Sequence, residues 1–495
     1  MRAIMIQGTA SDVGKSVLCT ALCRILANDG YQVAPFKSQN MALNSYITQD
    51  GGEIGRAQGV QAEAAKIEAT TDMNPILLKP KGEMVSEVIL HGKHYANMDA
   101  MSYRENFVET VMPEVRASLK RLAQQYDVLV LEGAGSPAEI NLKNRDIANM
   151  RMAHETDAAV ILVADIERGG VFASLIGTLM LLDDAERARV KGIIINKFRG
   201  MKELLDSGIE WLENYTNIPV LGVIPYIDVQ IEAEDSMALS SLRLKKPLAS
   251  EFDIDVAVIR LPHISNFTDL DPLFEEPGVG VRFVSSIREL KKPDVIIIPG
   301  TKNTVEDFLW LQETGIMQGI LQLQHTEVQI VGICGGYQML GETLRDEQAI
   351  EGKGGTYLAL GLLPIETTFI QEKQTVQVTG VSCTGHEMSG YEIHLGRSEA
   401  RVPVQPFIEF ADGRTDGVYT EKIIGTYVHG IFQNRAFTRH YFNKIRDNKG
   451  LPIVSTEILS DFERREQAYE MLDQHVRTHL NMTKIYELLA LERTS

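Results

Sequence analysis

The chain has 495 residues, 44% of them hydrophobic and only 7% aromatic, a length that exceeds one core and calls for two or three domains. With 67 acidic against 49 basic residues and a net charge of −18, it lacks the basic footprint of a nucleic-acid surface, so no nucleic-acid partner is expected. No apolar run reaches membrane-spanning length, "RAIMIQG" at the start carries no signal-peptide pattern, and the four cysteines form no CxxC pair; the expectation is a cytoplasmic protein with reduced thiols and no membrane partner.

From residue 1 to about 230, apolar runs ("RAIMIQ", "YQVAPF", "YDVLVLEG", "AAVILVAD", "GIIINK", "PVLGVIP") alternate with stretches of helical period. That alternation predicts an α/β domain built on a doubly wound, mostly parallel sheet. "GTASDVGKS" follows the first strand and opens a helix, the setting of a phosphate-binding loop. There Thr9 and Gly14 bring backbone N–H groups onto phosphate, Lys15 neutralises charge, and Ser16 ligates Mg²⁺. Spacing within the loop is one residue longer than the common Walker pattern. Glu132 ends a buried strand in "LVLEGAGS", where a carboxylate faces the ligand crevice; metal binding is weighed against helix capping. Asp50, in "TQDGGEIGRAQ", is weighed as a metal ligand against a turn residue.

Residues 231–252 mix charge and serine without a period and read as a linker. A second α/β series occupies 253–440, through "DIDVAVIRLP", "VGVRFV", "PDVIIIPG", "VQIVGICGG" and "KIIGTYVHG". The amphipathic segment 441–495 is expected to pack as helix on this second domain. In "VGICGGYQMLG", Cys334 falls on a sharp strand-to-helix turn, where the helix's amino-terminal end and free N–H groups stabilise negative charge and offer an oxyanion hole. His429, in "GTYVHGIF", ends another strand and is the expected base. His394, on a strand in "GYEIHLG", reads as a second possible base or as a structural histidine.

Three resemblances follow from these residues. The long phosphate loop resembles that of dethiobiotin synthetase and its relatives, which phosphorylate a carboxylate using ATP and Mg²⁺; Lys37 in "APFKSQN" matches their phosphate-contacting lysine. "GICGGYQ" resembles the elbow of class I glutamine amidotransferases, whose cysteine releases ammonia from glutamine. This implies roles for Gly335 and Gln338 and, from "IIIPGTKNT", an oxyanion donor at Gly300. Ile431 stands where that class usually carries a glutamate, so the acid that orients His429 is missing or comes from elsewhere.

Over nearly its whole length, through "FKSQNMALNSYIT", "EINLKNRDIANM", "RLPHISNFTDLDPL" and other runs, the chain is similar to the cobyrinate-type amidotransferases of cobalamin biosynthesis. That resemblance implies ATP- and glutamine-dependent amidation of the b, d, e and g carboxylates of a corrinoid, adenosylcobyrinic acid a,c-diamide. Asp146 and Asn149 in "NRDIANM" and Arg168 in "DIERGG" are then weighed as substrate contacts against capping or surface roles. The neighbouring branch that forms the a,c-diamide, and a nucleotide switch of partitioning-ATPase type, are the alternatives. "TAS" at 9–11 lacks the early signature lysine of such switches. A homo-oligomer is compatible with the sequence, which does not set the number of copies.

Overall fold

Six strands, Arg2–Gly8, Val33–Phe36, Val128–Glu132, Ala159–Asp165, Val190–Phe198 and Val220–Pro225, form one parallel sheet. Their order is 220–225, 190–198, 159–165, 2–8, 128–132, 33–36. The computed structural model describes residues 2–82, 85–99, 103, 107–143, 146–227, 252–351, 354–456 and 459–492, so the expected linker lies outside the described residues except for Phe252. Side chains alternate between two cores. Met5, Leu129, Leu131 and Leu162 face one, and Ile4, Ile6, Val130 and Val163 face the other, as a sheet covered on both sides requires. Ile6 pairs with Glu132, which puts that carboxylate beside the loop leaving the first strand.

The second half repeats the plan with Ile254–Ile259, Val279–Val284, Val295–Ile298, Gln329–Ile333 and Ile423–Thr426 in parallel, and Val418–Tyr419 antiparallel at the edge. Both halves carry additions that the apolar runs did not signal. In the second, the strands Ile365–Ser382 and Glu387–Ala400 form a long antiparallel hairpin within a seven-stranded sheet. In the first, Gln39–Met41, Ile76–Gly82, Val85–Leu90 and Lys93–Asp99 make a separate sheet, and Ser45–Ile47 with Glu53–Gly55 a small hairpin. These strands are short or partly exposed, with charged residues interrupting the period of two.

The carboxyl-terminal segment corrects an expectation. Helix Arg435–Asn448 does pack on the second half, through Phe437, Phe442 and Ile445. Beyond it, however, Asp461–His479 and Met482–Leu488 return to the first half, where Tyr469, Leu472, Val476, Leu480 and Ile485 complete the core under helix Lys15–Asn28. The i, i+3, i+4, i+7 stripe foretold a buried face but not what it would meet. Buried Arg24 fixes the choice, forking onto Glu466 at 2.7 and 3.0 Å. Among the described residues no helix is long and apolar enough to cross a membrane. Leu472 is fully buried in the first half's core. Leu472→Ala should therefore cost about 2–5 kcal/mol, measured as a lowered denaturant midpoint for a probe in the first half; an unchanged midpoint would refute this packing.

Candidate active site

Two centres form at the carboxyl ends of the two parallel sheets, where doubly wound folds bind ligands. In the first, Lys15 Nζ donates to the Ala10 and Gly135 carbonyls at 2.9 and 3.2 Å, spanning the mouth of the phosphate loop. Gly14, at φ 97°, caps the helix that begins with Lys15. Asn196 Nδ2 donates to the Val13 carbonyl at 2.8 Å and Lys197 Nζ to that of Asp12 at 2.5 Å, so "INKFRG" braces the loop from the side. The Thr9 N–H donates to the Val163 carbonyl at 2.9 Å, tying the loop's start to the neighbouring strand.

Glu132 is the hub. It accepts from Ser16 Oγ at 2.8 Å, Lys37 Nζ at 3.0 Å and Gln61 Nε2 at 2.6 Å. Burial pushes its carboxyl up, but the Lys37 charge and the hydrogen bonds from Gln61, Lys37 and Ser16 outweigh it and hold the pKa below the ordinary carboxylate range. Among the described residues no group of three or more His, Cys, Asp or Glu side chains could by itself hold a metal ion. A hydroxyl and a carboxylate that meet at 2.8 Å do suit Mg²⁺, which keeps waters and phosphate oxygens among its ligands.

In the second centre, Cys334 sits at φ 53°, ψ −108° between Gln329–Ile333 and the short helix Gly335–Leu340. This strained conformation costs about 1–3 kcal/mol and persists because strand and helix over-determine it. A Cβ at Gly336 would lie 1.9 Å from the Ile298 carbonyl oxygen, so only glycine lets the helix pack this closely. His429 is fully buried and close enough to Cys334 for the two to interact electrostatically. Its Nδ1 lies 2.6 Å from the Asp269 carboxylate, whose other oxygen accepts the Gly430 N–H at 2.9 Å. Tyr391 stacks on the imidazole at 5.1 Å, and a Cβ at Gly300 would come within 2.8 Å of His429 Cε1. Burial pushes His429 down, but the charge and hydrogen bond of Asp269, with the interaction with Cys334, raise its pKa from 6.5 to about 10.

Comparison with known proteins matches both halves. Residues 4–239 fit the CobQ/CobB/MinD/ParA nucleotide binding domain and 255–437 the CobB/CobQ-like glutamine amidotransferase domain. Cobyric acid synthases from Geobacillus sp. and Anoxybacillus flavithermus are each 52% identical, over 98% and 97% of this chain and 97% and 96% of theirs. That of Listeria monocytogenes is 46% identical over 100% of this chain and 98% of its own. The chain belongs to the cobyric acid synthase family.

Cobyric acid synthases are ATP-dependent, glutamine-hydrolysing ligases, and a bare nucleotide switch is set aside for this member. Asp269 fills the place that Ile431 leaves open. It was missed in the sequence because it lies 160 residues from its histidine, though its polar run "SNFTDLDPL" follows a strand end and could have marked it. Gln61, Asn196 and Lys197 were missed in the same way.

Other expected site residues are committed elsewhere. Gln338 is buried, its amide held between Thr304 Oγ1 at 2.9 Å and the Tyr427 hydroxyl at 3.2 Å, so it braces the elbow. Asp146 accepts the N–H groups of Ala148, Asn149 and Arg151, and Asn149 clamps both backbone groups of Ala134; both therefore follow the capping alternative. Asp50 is an exposed turn residue bonded to Thr48 Oγ1 and makes no described contact with Ser16 or Glu132. Arg168 is 66% exposed and lies 3.6 Å from Asp12 at the rim of the phosphate loop. Burial pushes His394 down to about 4, and its ring stacks on Tyr427 at 3.8 Å, which fits a neutral structural residue.

Because Asp269 opposes the effect of burial, His429 keeps its proton through neutrality and loses it as pH rises through about 10. Asp269→Asn should lower that pKa, moving the alkaline limb of glutamine hydrolysis toward neutral pH, and should slow turnover at pH 8 by about 100-fold or more. An unmoved limb would show that another group holds the imidazole.

Proposed function

We propose that the chain amidates the b, d, e and g carboxylates of adenosylcobyrinic acid a,c-diamide, each through an acyl phosphate made with ATP and Mg²⁺ and attacked by ammonia from glutamine. The observation that carries this reading is the pairing, in one chain, of a Cys334–His429–Asp269 constellation with a phosphate loop whose Ser16 meets Lys37 and Gln61 on Glu132.

In the glutaminase half, Cys334 sulfur attacks the side-chain amide carbon while backbone N–H groups at Gly300 and Gly335 face the developing oxyanion. His429, holding the proton that Cys334 gives up, passes it to the departing nitrogen, which leaves as ammonia. Water then adds to the thioester, passes a proton through His429 to the sulfur, and glutamate leaves. In the other half, an acceptor carboxylate oxygen attacks the γ-phosphorus of ATP and ADP departs. Lys15 and Lys37 offset the phosphate charge, with N–H groups from Ala10 to Gly14 around it, since that of Thr9 is already given to Val163. Mg²⁺, when bound at Ser16 and Glu132, supplies further neutralisation there. Ammonia adds to the acyl carbon, phosphate leaves, and the amide is formed. Arg168, exposed at the rim, suits an incoming carboxylate.

Mass spectrometry of the a,c-diamide incubated with the protein, MgATP and glutamine should show stepwise conversion of four carboxylates. An unchanged corrinoid beside amidation of cobyrinic acid itself would favour the a,c-diamide-forming branch. Cys334→Ser should abolish glutamine-driven synthesis and leave ammonia-driven synthesis, whereas Lys15→Ala should remove both; equal losses with both variants would refute the division of labour.

A further inference from the structure

The glutaminase is enclosed in part by the other half of the chain. Asn266, 3% exposed and at φ 51°, precedes the 3₁₀ segment Phe267–Phe274 that carries Asp269, yet its side chain does not cap that segment. Its Oδ1 accepts the backbone N–H of Ser45, from the first half, at 3.2 Å, and its Nδ2 lies 3.5 Å from His429 Nε2. A backbone N–H can only donate, so Ser45 turns the amide's Nδ2 toward His429 Nε2, which accepts from it once the imidazole has given up its proton in the thioester step.

Two further contacts join the same places. Ile47 of the first half packs with Tyr391, which stacks on His429, and with Ile393, whose carbonyl lies 3.5 Å from Cys334 Sγ. Behind Ser45, Glu53 accepts from Ser45 Oγ at 2.6 Å, from Lys79 at 2.5 Å and, across the junction, from Lys373 at 2.6 Å. Lys373 also meets Glu87 at 3.1 Å, and Glu87 meets Lys302 at 3.1 Å; Lys302 is two residues past Gly300. Hairpin 45–55 is thereby held against the second half through Ser45, Ile47 and Glu53.

We propose that Asn266 is a positioning residue of the glutaminase, held in its working orientation by Ser45, so that the synthetase half licenses glutamine hydrolysis by seating the 45–55 hairpin. Withdrawal of the hairpin frees the amide to turn and releases the packing on Tyr391 and Ile393, loosening His429 and Cys334 together. This inference rests on the glutaminase reading of Cys334.

Glutamine hydrolysis without acceptor isolates the test. Asn266→Gly tolerates the left-handed backbone and removes only the side chain; it should lower kcat about 10- to 100-fold, with KM within about twofold of wild type and the thermal midpoint retained. Ile47→Ala, in the other half, should lower the same kcat about tenfold. Wild-type kcat in Asn266→Gly, or a loss matched by a collapsed thermal midpoint, would overturn the positioning role. Wild-type kcat in Ile47→Ala would overturn the dependence on the first half. A wild-type chain that fails to hydrolyse glutamine would instead bring down the glutaminase reading itself, and this inference with it.

Discussion

The junction between the halves is held by charges taken out of water. Glu53, Glu87 and Lys79 from one side meet Lys302 and Lys373 from the other, and each is nearly or wholly buried. Such a cluster adds little stability over an apolar contact, because desolvation offsets most of the attraction, but removing any one member leaves a buried charge unpaired. What it provides is a fixed register: the halves fit one way or the charges go unmatched. Burial pushes Lys79 down, to about 7, against the pull of Glu53, which brings three amines and two carboxylates nearer to neutrality. Under the proposed reaction that register matters to both centres, since ammonia exposed to bulk water would be protonated on its way from one to the other.

The two centres solve similar electrostatic problems with a buried acid. Glu132 stays ionised because Lys37, Gln61 and Ser16 surround it, and it gathers these groups at the phosphate loop. Asp269 keeps His429 charged in a site with no solvent exposure. In each case burial alone would neutralise the residue that chemistry needs charged, and short hydrogen bonds from neighbouring elements reverse the outcome.

What was legible in the sequence was what is contiguous. "GTASDVGKS" and "GICGGYQ" each contain strand end, turn and helix start within a few residues, so loop and elbow could be placed from spacing alone. Six strands of the first sheet were readable because burial on both faces demands unbroken apolar runs. Asp269, Gln61 and Asn266 were not, since each acts on a partner distant in sequence and no local pattern marks that partner. The hairpin 365–400 was hidden by polar residues, among them Lys373, that face the other half rather than solvent. For the last helices, the apolar stripe of Tyr469, Leu472 and Val476 was visible, while the surface it covers was decided by the buried Arg24.

The return of those helices changes what counts as the first half. Its core is finished by residues encoded after the entire glutaminase, and the start of Asp461–His479 also touches the second half where Arg464 meets Glu275. A polypeptide cut at the linker would leave Ile25 and Leu26 without their cover and an unpaired Arg24 facing water. The unit of assembly is thus a loop closed on itself, with residues from before and after the second half brought into one core; during synthesis the far side of helix Lys15–Asn28 waits for its cover until the whole second half has been made.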